Sequence, residues 1–218
     1  METASALAKY ISEEFPVTPD GTWLPSEREL AERFAVSRPV VREAAKRLEL
    51  QGVIQIHHGK GAKVVNQFHK PFTLALELDI PDPKERLLQF SETRRLLEPE
   101  SARQATLQAT EGGLEELKAI HGKMELEEDL GKAALLDVQF HQQIVRMAGN
   151  RVNLLILESF ADISTESRVK TLTSTSIERA LGHHRQILDA ILAGDSDGAA
   201  EAMLFHVREA ATDLEGIL

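Results

Sequence analysis

The sequence predicts a mainly α-helical protein in two parts, a small N-terminal domain of helices with one β-hairpin and a C-terminal all-α bundle. Three observations carry this. Two short amphipathic helical patterns between residues 26 and 51 are joined by only Ala35-Val36 and their caps. A β-branched stretch around a Gly-containing turn follows at residues 53–65, and beyond residue 83 almost everything reads as amphipathic helix rich in Ala, Leu and Glu. Pro71, Pro81 and Pro83 mark the intervening stretch as a connection. The expected division is therefore 1–65, a linker at 66–83, and 84–218.

Composition limits what such a chain does. Its 218 residues, 42% of them hydrophobic, suffice for two small cores. With no cysteine there is no disulfide framework and no thiolate site, so any metal must be held by His and carboxylate. The N-terminus reads as a charged amphipathic helix without the apolar run of a signal peptide, and no stretch is apolar enough to span a membrane. A cytoplasmic, non-membrane protein is expected. The net charge of −10 disfavours a general polyanion binder, but residues 1–65 hold nine Lys/Arg and nine Asp/Glu. The whole acidic excess lies in residues 66–218, with 16 against 26.

In the first part, Ser26-Glu27-Arg28-Glu29 after Pro25 is a capping box that opens a helix to about Phe34. Ser37 can cap the next helix, Pro39 is tolerated in its first turn, and Gly52 ends it. Two helices so closely joined form a helix-turn-helix. At 100° per residue Val41, Ala44, Ala45 and Leu48 share one stripe, and Arg38, Arg42 and Lys46 line the next. One face packs while its neighbour offers three cations. The hairpin after Gly52 turns at His58-Gly59-Lys60-Gly61, which adds a wing. Guanidinium forks one turn apart suit guanine edges in a major groove, and a Gly-rich wing tip lets His58 or Lys60 approach a phosphate or minor groove. A mere packing unit is the plainer alternative, and the placement of the cations argues against it.

These residues, Leu24-Pro25-Ser26-Glu27-Arg28-Glu29-Leu30-Ala31, Val36-Ser37-Arg38, Val41-Arg42-Glu43-Ala44 and His58-Gly59-Lys60-Gly61, resemble the winged helix-turn-helix of the GntR family of bacterial transcription regulators over about residues 3–65. The resemblance implies that Arg28, Arg38 and Arg42 contact DNA, that Ser37 helps hold the backbone, and that His58 and Gly59 form the wing tip. At Pro39-Val40 this chain departs from the pattern. Many members carry a Thr there that bonds a phosphate.

In the bundle, roughly six helices are expected, with breaks at Gly112-Gly113, Gly131, Gly149-Asn150 and Gly194-Asp195, and with Pro99 kinking or ending one helix. Asp137 and His141 share the inward face of Ala134, Ile144 and Ala148. His184 lies near the centre of the stripe set by Leu181, Ile187, Leu188 and Ile191, with His183 about 120° away on the wheel. His206 lies in the apolar face of Ala199, Ala202, Met203 and Ala210. A lone inward His is usually a hydrogen-bonded structural residue, but three imidazoles and a carboxylate converging from three helices suit a divalent ion. Zinc is the first choice, with nickel, manganese or iron as alternatives. The same set could serve a metallohydrolase, yet there is no HExxH helix, no placed general base and no nucleophile motif.

Asp137-x-x-x-His141 with Gly149-Asn150, His184-x-x-Ile187-Leu188-x-Ala190-Ile191 and Met203-x-x-His206 resembles the FCD-type ligand-binding domain of the FadR branch, over about residues 84–216. The resemblance implies that these four positions ligate the metal and that a small organic or sugar acid binds beside it. It also implies that Arg94, in Arg94-Arg95-Leu96-Leu97-Glu98-Pro99-Glu100, faces that pocket and that the helix continues past Pro99; as a plain helix cation Arg94 would pair with Glu98 at i+4. The expectation is a homodimeric repressor, not an enzyme, that binds double-stranded operator DNA under control of a carboxylate effector. A regulator whose effector is the metal itself, or a metal-dependent enzyme fused to a DNA-binding domain, are the alternatives.

Overall fold

The computed structural model describes residues 2–15, 21–174 and 177–217. It separates into two compact units, Met1–Ala75 and Leu76–Leu218. Helix α4 (Lys70–Asp79) occupies most of the stretch read as a connection, and it crosses the division. None of its residues is buried, so it holds its shape as a helix without contributing a core face.

In the first unit the order is α1 (Glu2–Glu14), β1 (Thr22–Trp23), α2 (Glu27–Phe34), α3 (Arg38–Leu50), β2 (Ile54–His57) and β3 (Gly61–Val64). The capping box at Ser26 forms as expected: its hydroxyl accepts from the Glu29 N–H, and its own N–H donates to the Glu29 carboxylate at 2.8 Å. Ser37 does not cap α3. It stands at the N-cap with extended backbone, but its side chain makes no capping bond. Pro39 removes one acceptable donor, and the Val40 N–H goes to the Ser37 carbonyl at 3.0 Å instead. The sheet also exceeds expectation, being antiparallel and three-stranded in the order β1-β3-β2, with Thr22 opposite Val64. A two-residue strand carries no period that a sequence reading can detect. Leu7 and Ile11 of α1 pack with Leu30, Val41, Leu48 and Ile54 as the core of this unit.

Gly52 has φ +73, and a Cβ there would run into the Gln67 carbonyl. Only glycine fits this exit from α3, which aims β2 back along the helix.

The second unit continues with seven helices among the described residues: α5 (Pro83–Leu107), α6 (Glu111–Leu126), α7 (Leu130–Met147), α8 (Arg151–Ser159), α9 (Ala161–Ser174), α10 (Ile177–Leu192) and α11 (Ser196–Ile217). Helix α5 runs through Pro99. The seventh helix arises from a break at Phe160, which no Gly or Pro marks. Gly112-Gly113 and Gly131 lie in first turns rather than at breaks. The ends belong to Thr110 and Asp129, whose side chains accept from the N–H groups of Gly113 and Lys132. The core gathers Leu117, Phe140, Ile144, Ile187, Leu188 and Met203, each nearly free of solvent exposure. Helices α5, α7, α10 and α11 meet there.

Candidate metal centre and nucleic-acid face

Asp137 and His141 project from successive turns of α7, His184 from α10 and His206 from α11; all four are buried. One ligand atom from each lies within 4.8 Å of all the others. The His206 Nε2 is 3.1 Å from that of His141 and 3.3 Å from that of His184, while the His184 Nε2 is 3.4 Å from Asp137 Oδ1. Three imidazole nitrogens and a carboxylate oxygen thus point at one spot. Burial drives the His184 pKa down to about 3 despite the Asp137 charge, and it drives His206 well below the ordinary value with help from the neighbouring imidazoles. Burial alone would raise the Asp137 carboxyl, but Arg168 and then His184 outweigh it and hold it at about 2. The His184 and His206 imidazoles are therefore neutral and the Asp137 carboxylate ionised at neutral pH, the forms in which each binds a metal. With three Nε2 atoms and a carboxylate oxygen facing one another, and the Nδ1 atoms of His184 and His206 buried without a hydrogen-bond partner among the described residues, the donor set fits a divalent cation.

Two residues around this centre were not picked out by the sequence. Glu98 on α5 is fully buried, and its Oε2 lies 2.5 Å from His141 Nδ1. A carboxylate only accepts, so the His141 proton sits on Nδ1 and leaves the Nε2 lone pair facing the centre. Burial favours the neutral acid at Glu98, but Arg94 and His141 more than offset it and keep the group ionised. The sequence shows Glu98 only as a helical neighbour of Arg94. Arg168 on α9 is the other: its Nε donates to Asp137 Oδ2 at 2.8 Å. Its Nη2 is buried with no hydrogen-bond partner among the described residues. Leaving such a donor unmade costs about 1–3 kcal/mol. Helix α9 has almost no amphipathic period, so no pattern singled Arg168 out.

Arg94 is half-buried rather than fully solvated, its side chain 14% exposed, and its Nε and Nη2 both face the Glu98 carboxylate. A recess lined in part by Asp137 and His206 opens beside the centre and also takes in Thr171, Arg179, His183, Glu209 and Asp213; another, lined in part by Ser91, Arg94, Ser164 and Ser167, reaches Arg168 but none of the four residues of the centre. Arg168 lines both. His183 is off the ligand set, with its ring 5.8 Å from that of His206.

In the first unit, Val41, Ala44 and Leu48 are buried, Ala45 is half-buried, and Arg38, Arg42 and Lys46 are exposed on α3. Glu27, at the start of α2, takes Arg42 bidentately at 3.0 and 2.7 Å and lies 3.7 Å from Arg38. Hydrogen bonding to Arg42 lowers the Glu27 pKa. Arg28 pairs one turn along α2 with Glu32. His58, Gly59 and Lys60 are exposed in the β2–β3 turn, closed by the Lys60 N–H donating to the His57 carbonyl at 3.0 Å.

A winged helix-turn-helix joined to a separate helical domain defines the class of DNA-binding transcription regulators. The comparisons agree. Residues 17–64 match the family "Bacterial regulatory proteins, gntR family", and residues 89–209 match "FCD domain". The chain is 33% identical to the HTH-type transcriptional regulator LutR of Bacillus subtilis (91% of this chain, 92% of LutR). It is 32% identical to the HTH-type transcriptional repressor NanR of Enterobacter sp. (86% and 75%). Among solved structures, Streptococcus agalactiae GntR superposes with a TM-score of 0.78 at 29% identity, covering 97% of this chain and 98% of that one. The chain belongs to the GntR family of transcription regulators and carries an FCD domain. Such relatives are regulators, not enzymes, and no helix among the described residues is long and apolar enough to cross a membrane.

Proposed function

We propose that the protein is a homodimeric, cytoplasmic repressor of the FadR branch, whose grip on operator DNA is controlled by a small carboxylate bound beside a divalent metal. The observation that carries this is the convergence of Asp137, His141, His184 and His206 on one buried point with a recess opening beside it. These four residues would hold the ion, and the ion would supply a Lewis-acidic seat for the acid's oxygens. Zinc suits three nitrogens and one oxygen; nickel, manganese or iron would also accept this set. Arg94, Arg168 and Arg179 are the cations lining the recesses. Arg28, Arg38, Arg42 and Lys46 would meet bases and phosphates, with Ser37, His58, Gly59 and Lys60 contacting the backbone or minor groove. The sign of regulation follows the repressor name of the NanR relative.

Acid binding that favours one packing of the bundle shifts operator affinity by the acid's preference for that packing. The test is fluorescence anisotropy on DNA flanking the protein's own gene, with metal-loaded protein and organic acids added in turn. Release by an acid only when metal is present supports the reading. Release by metal alone would establish the metal as effector and refute it.

A further inference from the structure

We infer that the outward face of the three-stranded sheet is a further DNA-binding surface, on which Trp23 and Lys63 hold a backbone phosphate of the duplex between the wing tip and α2. The pairing register puts these residues there. Thr22, Val64 and Ile54 stand side by side across β1, β3 and β2, and Val64 and Ile54 are buried in the core of the unit. The next residues in register, Trp23, Lys63 and Gln55, face the other way, and His57 follows two residues beyond Gln55 on that same side. Trp23 is 44% exposed there. The Lys63 ammonium lies over its ring, 5.5 Å from the centre, and the His57 ring packs on it at 5.2 Å. The His57 Nε2 is buried without a hydrogen-bond partner among the described residues, so this ring props Trp23 rather than offering a contact of its own.

Charge and position name the occupant. No Asp or Glu stands in any of the three strands, and Lys63 is their one formal charge. An exposed tryptophan beside an ammonium offers an anion one charge and one further donor, because the indole N–H only donates. The face is also continuous, at both ends, with the surface that would meet DNA. Along β3, Lys63 lies two residues, about 7 Å of strand, from Gly61 at the wing tip. From β1 the chain passes through Leu24, whose N–H donates to the Ala62 carbonyl at 2.9 Å, into the capped start of α2 and Arg28. A duplex held by both Arg28 and Lys60 runs its phosphate backbone past this face, which makes the contact independent of sequence. The plainer reading makes Trp23 a cross-strand partner that covers the Lys63 stem and steadies the hairpin. That reading leaves the largest side chain of a two-residue strand half in water, and it predicts no response to DNA.

Trp23 is the only tryptophan in the sequence, so tryptophan emission reports this face alone. The test titrates the full-length protein with a labelled duplex from the DNA flanking its own gene, and with a scrambled duplex of the same composition, reading emission and DNA anisotropy together. Emission should change with both duplexes and saturate where the anisotropy does. Unchanged emission at saturation would overturn the proposal. In Lys63→Gln the slope of log affinity against log salt should shrink by about one unit per bound subunit on both duplexes, and an unchanged slope would equally overturn it. Trp23→Phe keeps an aromatic ring and loses the donor; affinity should fall about 3- to 10-fold on both duplexes while the melting temperature stays that of the wild type. Wild-type affinity in Trp23→Phe would make Trp23 a prop for the hairpin and remove the contact. If Trp23→Phe melts early, the emission of the wild type and the salt slope of Lys63→Gln decide between them. Emission that shifts when the DNA-free protein is concentrated would assign the face to a second copy of the chain and refute the proposal.

Discussion

Glu98 shows how much one buried side chain governs here. It accepts from both Arg94 and His141, and so sets the orientation and proton position of His141, a proposed metal ligand, without pointing at the centre itself. Glu98→Gln keeps the volume but loses the charge, and metal affinity should fall about 10- to 100-fold; a metal titration matching wild type would refute this. The buried acid and imidazole also give the metal-free protein a defined pH response. His184 titrates near 3 when folded and 6.5 when unfolded, so the unfolded chain takes the proton first and stability falls as pH drops from about 6.5 toward 3. His206 shifts the same way, and Asp137, moved from 3.8 to about 2, adds its own loss only as pH falls from about 3.8 to about 2. Urea midpoints of the metal-free protein should therefore decline from pH 7 to pH 4, and His184→Asn should flatten the decline. Arg168 and Glu98 escaped the sequence reading for one reason: an ion pair closing between helices 31 to 43 residues apart has no local period.

At the scale of elements, α3 is the one whose chemistry was legible in advance. Its buried and exposed stripes follow from 3.6-residue periodicity alone, and the chain places them as that period requires. Arg38→Ala and Arg42→Ala should each lower operator affinity by about 1–3 kcal/mol, and Lys46→Ala should weaken all sequences alike; gel shifts on specific and scrambled DNA separate the two outcomes. Glu27 adds what the linear pattern did not contain, because it clamps Arg42 and lies beside Arg38 from another helix. Glu27→Gln releases that countercharge, so binding to scrambled DNA should strengthen at low salt and fall more steeply as salt is raised. An unchanged salt slope would show that the clamp has no effect on DNA. The element ends that sequence misjudged, Ser37, Phe160 and strand β1, depend on hydrogen bonds chosen in competition with neighbours. Propensity alone does not rank those bonds.

For the molecule as a whole, charge is partitioned between regions of opposite task. Residues 1–65 balance nine cations against nine anions, whereas residues 66–218 carry the entire excess of ten acids. Removing the C-terminal unit should therefore strengthen binding to non-specific DNA at low salt, with the gap closing toward about 1 M, where the Debye length is about 3 Å. Equal affinities at low salt, once dimerisation is allowed for, would show that the acidic bundle exerts no such field. The sequence by itself determined the two-part architecture, the cationic stripe of α3 and the inward placement of Asp137, His141, His184 and His206. All of these are readings of one helix at a time, and helical period reports which side of a helix a residue occupies. Only the tertiary structure decided that the four meet at one point, that Glu98 and Arg94 lock behind His141, and that Arg168 arrives with a donor to spare. Those facts depend on how far helices stand apart and how they are rotated against one another, which packing sets and no single helix encodes.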